Sequence, residues 1–375
     1  MAQRSKDKRI QELYDKGIKP YSISKLNAID GCLREAYYTY KEHNHGDDNI
    51  YGIMGTKIHD VLEKIYKKEA KEEDLLPALR AELEYADILG VDFPKDFRGG
   101  NSIRNNWVKD MADYCRHFRR IPGEALTEQL IIYKVDDKRY LRGYVDLTIV
   151  VDAENKVVDI YDFKTSSAFK KEDLKHHGRQ LVLYGMAFEQ AGYKVRKIAW
   201  DMLKYVKVEY MGYKTARSTK KTLITKMVQR NKLVKELELP IRCELSEQGW
   251  NLIDIDLYVD DLKKYFDNLL CLDVDLKQPK FPSCFKFSEA IVEYPFTKEN
   301  QDEVLEYINT NANKFESLWD KDIDSWEPVI IDKKNEFYCL ALCSHRKHCG
   351  HLQEYSNKKL KENDENNKDK YTDLF

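Results

Sequence analysis

The stretch Tyr140 to Ser166 reads YLRGYVDLTIVVDAENKVVDIYDFKTS. Two apolar, β-branched runs flank a polar break at residues 152–156, the signature of a β-hairpin. A turn centred on Glu154 sets Asp146 opposite Asp162 and Tyr144 opposite Lys164. Side chains alternate between faces of a strand, so Asp162 and Lys164 share one face and Phe163 points to the other. This register holds as long as no bulge shifts it.

Two carboxylates facing each other across neighbouring strands repel. A divalent cation between them removes that cost. An acid, one residue, then a lysine on one strand, with a second acid on its neighbour, suits metal-assisted phosphodiester hydrolysis. The metal lowers the pKa of a bound water, and the lysine orients that water or offsets developing charge. Asp-x-Lys is common, and by itself it describes an ordinary surface hairpin more often than a reaction centre.

The chain has 375 residues, 34 % of them charged, with a formal net charge of −2. That length allows two domains or one decorated domain, and the charge balance confines any nucleic-acid surface to a local patch. The opening MAQRSKDKRIQELYDKG has no apolar core of a secretory signal, and no apolar run approaches the roughly 18 residues of a membrane span. The expectation is a soluble chain without a membrane partner, located in a bacterial cytoplasm or, if phage-encoded, in that of the host. The eight cysteines are then expected as free thiols or metal ligands.

Ser22 or Ser24 is placed to cap a helix, and Gly31 weakens its continuation. In HNHGDDNIYG, His43 and His45 fit a polar loop better than a metal site. GTKIHDVLEKIYKKEA, 55–70, places Ile58, Val61, Leu62 and Ile65 on one helical face with His59 beside it. That histidine matters only if the helix docks on the hairpin. Residues 71–90 read as another helix. From Asn101 or Ser102 an amphipathic helix carries Ile103, Trp107, Met111, Tyr114 and Phe118, with Cys115 on its buried side. Residues 127–135 read as a strand opened by Glu128, which either reaches the site or ends in solvent. GRQLVLYGMAFEQAG reads as a helix that sets Gln180 and Tyr184 on one face. Between Lys204 and Lys235 ten Lys or Arg face one acid, with tyrosines interleaved, which fits either a nucleic-acid surface or a solvated basic helix. Residues 240–330 read as mostly helical.

Near the end, FYCLALCSHRKHCG brings Cys339, Cys343 and Cys349 within eleven residues. Three clustered cysteines indicate a metal site short of one ligand, which Cys32, His345, His348 or Cys284 can supply. Thiolates favour zinc or an iron–sulfur cluster, and spacing alone does not choose.

Taken in order, GTKIH, Gly143–Asp146, Asp162–Phe163–Lys164 and Gln180–Tyr184 resemble the RecB-type branch of the PD-(D/E)xK nuclease superfamily. One early and three late cysteines are similar to its iron–sulfur members, which include the CRISPR-adaptation exonucleases. The resemblance implies that His59, Asp146, Asp162 and the Phe163 carbonyl bind Mg²⁺ or Mn²⁺, and that Lys164 is the catalytic lysine. It implies that Gln180 and Tyr184 support the site and contact DNA. It also implies that Cys32, Cys339, Cys343 and Cys349 hold a 4Fe–4S cluster, with Zn²⁺ as the alternative. This chain has Asp162 where the family more often has Glu, and three residues between Cys339 and Cys343 where two is usual.

The implied fold is α/β: a mixed central sheet flanked by helices, a restriction-endonuclease-like core with helical insertions and a cysteine cluster joining the N- and C-terminal segments. The expected parts are a helical region 1–125, a nuclease core 126–215, a helical insertion 216–334, the cysteine cluster 335–352 and a disordered tail 353–375. The implied activity is a metal-dependent DNA exonuclease, since no base-reading module is evident and backbone binding suits digestion from an end. Its expected setting is DNA recombination, repair or phage DNA processing. The alternatives are a non-catalytic DNA-binding or assembly protein on the same fold, or a zinc-binding adaptor. The expected partner is DNA, as single strands or duplex ends. A helicase, a recombinase and, through the closing YTDLF, a sliding clamp are the candidate protein partners.

Overall fold

The computed structural model describes residues 7–96, 98–213, 218–277 and 280–360. In chain order the first helices are α1 (Lys8–Asp15), α2 (Ile23–Gly31), α3 (Leu33–Ala36), α4 (Ile50–Tyr66), α5 (Leu75–Ile88) and α6 (Ser102–Arg116). Strands β1 (Glu124–Lys134), β2 (Tyr140–Asp152) and β3 (Val157–Lys164) follow, then α7 (Leu174–Gln190), β4 (Lys194–Gly212) and β5 (Thr222–Gln229). The remaining elements are α8 (Leu233–Glu247), α9 (Leu252–Asn268), β6 (Lys286–Tyr294) and α10 (Lys298–Leu318). No helix among the described residues is long and apolar enough to cross a membrane.

The chain divides into two compact units. One comprises the described chain up to Asn49, Val135–Leu141 and the described chain from Glu303. The other comprises Ile50–Lys134 and Arg142–Asp302.

The larger unit is built on a six-stranded mixed sheet of order β1-β2-β3-β4-β5, with β6 also paired to β4. β2 and β3 run antiparallel, whereas β3 and β4 run parallel. A parallel neighbour needs a crossover, and α7 supplies it. Mixed pairing around a central β3 and flanking helices make this the α/β fold expected from the sequence. One face of the sheet is covered by α4, α5 and α6, through a core that includes Ile58, Leu62, Leu79, Met111, Tyr161 and Phe163. The other carries α7. Residues 216–334, read as a helical insertion, also contribute β5 and β6 to this sheet. Their alternation was masked by charged residues: Glu289 and Lys226 sit on half-buried strand positions that a solvent-facing helix would equally accept.

A buried charge network ties α6 to the β4–β5 end. Arg230 Nη1 donates to Asp113 Oδ2 at 2.9 Å and its Nε donates to the Leu203 carbonyl at 3.0 Å. Asp110 accepts from the Asn231 amide and from Gln229 Nε2, at 2.8 and 2.7 Å. Asp201 in β4 is a further buried acid, 3 % exposed. Burial pushes its carboxyl up to about 7, with Glu289 adding and Arg230 opposing. A carboxyl whose folded pKa is raised stabilises below its unfolded value, and loses that contribution as pH rises through the folded one. Asp201→Asn should therefore raise stability at pH 8 by about 1 kcal/mol or more and change little at pH 4, as read by urea unfolding at the two pH values.

The smaller unit packs around Trp326, which is fully buried against Phe315 and Tyr37. Ser22 caps α2, accepting from the Lys25 amide at 3.2 Å, and α2 ends at Gly31 as its sequence indicates. Arg139 and Tyr21 both reach Glu316, at 2.7 and 2.9 Å. The loop with His43 and His45 lies along the cysteine segment, where the Asp47 amide donates to the Ser344 carbonyl at 2.8 Å. Residues 350–360 are helical, which corrects the expectation of disorder from 353. Charge alternating with leucine and tyrosine (LQEYSNKKL) supports helix as well as it supports solvation. The YTDLF segment lies outside the described residues.

Candidate active site

The hairpin pairs Leu147 with Tyr161, Thr148 with Ile160, Ile149 with Asp159 and Val150 with Val158. This is the register of a turn centred on Glu154. A bulge falls between Val150 and Asp152, on the turn side of the site, and leaves the other end in register. The regular ladder stops at Leu147. There the Asp146 side chain replaces a backbone partner: its Oδ2 accepts the Phe163 amide at 2.8 Å. Asp146 and Phe163 are thereby locked together, and the Asp146 carboxylate is near enough to Asp162 at the end of the hairpin for its charge to raise the Asp162 carboxyl.

Helix α4 docks on this end. His59 Nδ1 stands 3.5 Å from Asp146 Oδ2, and its ring meets Phe163 edge-on at 5.8 Å. Phe163 in turn stacks with Tyr66, so one side chain buried under α4 fixes both the helix and the strand carbonyl beside the acids. On the opposite face Lys164 Nζ lies 2.5 Å from Asp162 Oδ2. The same ammonium donates to Gln180 Oε1 at 3.3 Å, and Gln180 Nε2 donates to the Tyr184 hydroxyl at 2.7 Å. One turn of α7 thus holds the lysine through a two-step relay. Gly143 makes the relay possible, since a Cβ there would sit 2.8 Å from Tyr184 Cε1. Glu128 has a left-handed φ of +49° within β1, and its charge adds to the rise in the Tyr184 and Lys67 pKa values.

The electrostatics separate the two acids. Burial works to raise the Asp146 carboxyl, but His59, Lys164 and the Phe163 amide outweigh it and hold the group below its ordinary value. Burial dominates at Asp162 and raises it, against the pull of Lys164. Lys164 is pulled down by burial, yet the two acids win and raise it. His59 behaves likewise: burial lowers it, and Asp146 more than restores it. Asp162 is only 2 % exposed, so its charge is costly where it stands. A buried and a half-buried carboxylate, an imidazole and a strand carbonyl form the oxygen-rich set that suits Mg²⁺ or Mn²⁺, and a cation there would relieve the burden on Asp162. The residues fit the ion chemically, although no three His, Cys, Asp or Glu among the described residues are drawn tightly enough to hold a metal as they stand.

The cysteines divide between the units. All eight are free. Cys115 is buried in the core of the larger unit, and Cys284 lies near Glu244 there. Cys32, Cys339, Cys343 and Cys349 belong to the smaller unit, near enough for their charges to influence one another, but no three His, Cys, Asp or Glu among the described residues are placed to hold a metal. Cys32 joins α2 to α3, Cys339 lies within the π-helical turn Tyr338–Leu342, and Cys343 caps its end. Burial pushes the Cys339 thiol up to about 11, with Cys32, Cys349 and Glu35 adding. Burial likewise raises Cys343 to about 12, with Glu35, Cys32 and Cys339 adding. Thiols that oppose one another's ionisation in this way suit a shared cation. Glu35, bonded by the Tyr338 hydroxyl at 2.8 Å, belongs to this group and was not singled out from the sequence. Its only sequence signal is its position three residues after Cys32. His345 is instead engaged with Thr39, Nε2 to Oγ1 at 2.8 Å.

The basic run is spent in part inside its own unit. Lys204 faces Asp110 at 3.9 Å, Lys207 pairs with Glu209 at 2.8 Å, and Lys226 with Glu236 at 3.6 Å. Lys221 pairs with Glu244 at 3.3 Å, and Arg230 with Asp113. Acids from α6, distant in sequence, and from β4 and α8, within or close to the run, pair with five of its ten Lys and Arg. Lys214 and Arg217 lie outside the described residues.

No curated protein matches this chain. The model of the PD-(D/E)XK nuclease superfamily matches residues 20–349, a span that includes both acids, the lysine and all four cysteines of the smaller unit. The chain therefore belongs to the PD-(D/E)XK nuclease superfamily.

Proposed function

We propose that this protein is a Mg²⁺- or Mn²⁺-dependent DNA exonuclease. The observation that carries the reading is the placement of Asp146, Asp162 and Lys164 at one end of the hairpin, with His59 against Asp146. When bound by His59, Asp146, Asp162 and the Phe163 carbonyl, the divalent ion supplies Lewis acidity and a more acidic water. Asp146 and Asp162 hold negative charge opposite that position. Lys164, held protonated by its two acids, presents a cation to the phosphate and offsets charge that develops on its oxygens. Gln180 keeps the ammonium aimed, and Tyr184 keeps Gln180 aimed. These contacts address a phosphodiester and no particular base, which supports digestion from an end over site-specific cutting. The setting that fits is DNA recombination, repair or phage DNA processing. The test compares labelled DNA with open and blocked ends in the presence of Mg²⁺ or Mn²⁺. Release of mononucleotides or short products from open ends alone supports the reading. Cutting of closed circles at the same rate rejects the exonuclease part, and no cutting at all rejects the nuclease.

We further infer that Cys32, Cys339, Cys343 and Cys349 hold a structural 4Fe–4S cluster, a reading supported by their place in one unit and by the mutual influence of their charges. Anaerobically purified protein should be brown and contain iron and acid-labile sulfide, and Cys339→Ser should lose both. Zinc without iron would replace the cluster with the zinc alternative.

A further inference from the structure

The strand-to-helix connection just after Lys164 carries a group of rings that the reaction centre leaves unused. Phe169 and His177 stack face to face, with centroids 3.9 Å apart and planes 18° from parallel. Phe169 meets Trp200 edge-on at 4.9 Å, and Trp200 meets Tyr294 at 5.5 Å. Trp200 is fully buried, so the pair rests on the floor of the sheet, whereas Phe169 and His177 are themselves half-buried. The connection is pinned twice. The Ala168 amide donates to the Tyr205 hydroxyl at 2.9 Å, and the first turn of α7 presses on Tyr294 at Gly178, where a Cβ would lie 2.4 Å from the ring.

The pair borders the reaction centre. His177 precedes Gln180 by three residues, so both lie on one face of α7, about 4.5 Å apart along its axis. Gln180 holds Lys164. The charge of Lys164 is felt at His177, where burial first, then His176 and Lys164, push the imidazole down to about 4. The ring is therefore neutral at neutral pH; since Phe169 takes one of its faces, a base would stack on an outer face of the half-buried pair. From Lys164 to Arg179 the chain carries five Lys or Arg against Glu172 and Asp173. A ring pair on a stretch rich in Lys and Arg, next to the proposed reaction centre, has the residue types that hold an unpaired strand. A base inside a duplex already stacks on its neighbours and has no face to give.

We propose that the Phe169–His177 pair is a nucleobase-stacking platform that seats the nucleotide next to the scissile phosphate, and that the preferred substrate is single-stranded DNA or an unpaired DNA end. This rests on the nuclease reading above. The test uses the full chain with Mg²⁺ or Mn²⁺ on three labelled substrates: a single strand, the same strand with abasic terminal nucleotides, and a blunt duplex. Wild type should show a KM about tenfold lower on the base-bearing strand than on the abasic strand or the duplex. Phe169→Ala and His177→Ala should raise KM on the normal strand to the abasic value and lose nothing further on the abasic strand. The loss should appear in KM more than in kcat, and His177→Phe, which keeps a stacking ring, should recover most of it. A wild type that cuts base-bearing and abasic strands alike, or ring variants that match wild type on both, overturns the platform and leaves the nuclease reading standing. A wild type that cuts no DNA overturns both.

Discussion

Asp162→Asn should lower phosphodiester hydrolysis by about 10²–10³-fold or more, with the chain still unfolding cooperatively in urea. The substitution removes one negative charge and keeps the shape. Asp162 is the acid on which burial weighs most, and it lies 2.5 Å from the ammonium of Lys164. With the charge gone, one oxygen ligand is weakened and Lys164 loses its nearest counter-charge, so two catalytic contributions fall together. Asp146→Asn should cost a comparable factor by a different route, since the Asp146 carboxylate also takes the Phe163 amide that ends the ladder. Initial rates on labelled single strands, measured across a Mn²⁺ titration, check both. Asp162→Asn with wild-type rates would place the reaction centre elsewhere.

Arg230→Met should destabilise the fold by about 3–5 kcal/mol at neutral pH, the largest effect expected away from the site. The guanidinium is nearly inaccessible, as is its partner Asp113, at 6 % and 3 % side-chain exposure. Removing it leaves the buried Asp113 carboxylate with only the His117 imidazole at 3.5 Å, and the Leu203 carbonyl without the Nε donor. It also removes the cation from above the Tyr114 ring, 5.4 Å away. Most of that cost belongs to the acid left without its guanidinium rather than to the ion pair itself. The double variant Arg230→Met with Asp113→Leu should therefore recover a large part of it. Urea unfolding of the two single variants and the double variant measures the coupling, and a double variant no better than the sum of its parts would refute the account.

The hairpin that carries the proposed reaction centre is legible because its parts lie close together in sequence and obey a period. The alternation of Asp162, Phe163 and Lys164 and the polar break at Glu154 were enough to set the hairpin register that the structure has. The bulge at Val150 does no harm because it lies between the turn and the paired strands, not between them and the acids. Gln180 and Tyr184 were legible for the same kind of reason, being four residues apart on one helix. The placement of His59 against Asp146 does not follow from periodicity, because a histidine beside an apolar stripe says nothing about what the stripe packs on. Strands β5 and β6 were read as helical or basic segments because edge strands with half-exposed faces carry the same charges as surface helices.

The amino-acid sequence by itself determined the hairpin, its facing acids, the lysine one residue on, and the helix that bears Gln180. These follow from backbone periodicity, which acts between near neighbours. Only the tertiary structure decided that His59 meets Asp146, that half of the basic run pairs with acids from α6, β4 and α8, and that Phe169 stacks on His177 over Trp200. Each of those depends on which elements pack together. That choice is made by the burial of the whole apolar core and not by any segment alone.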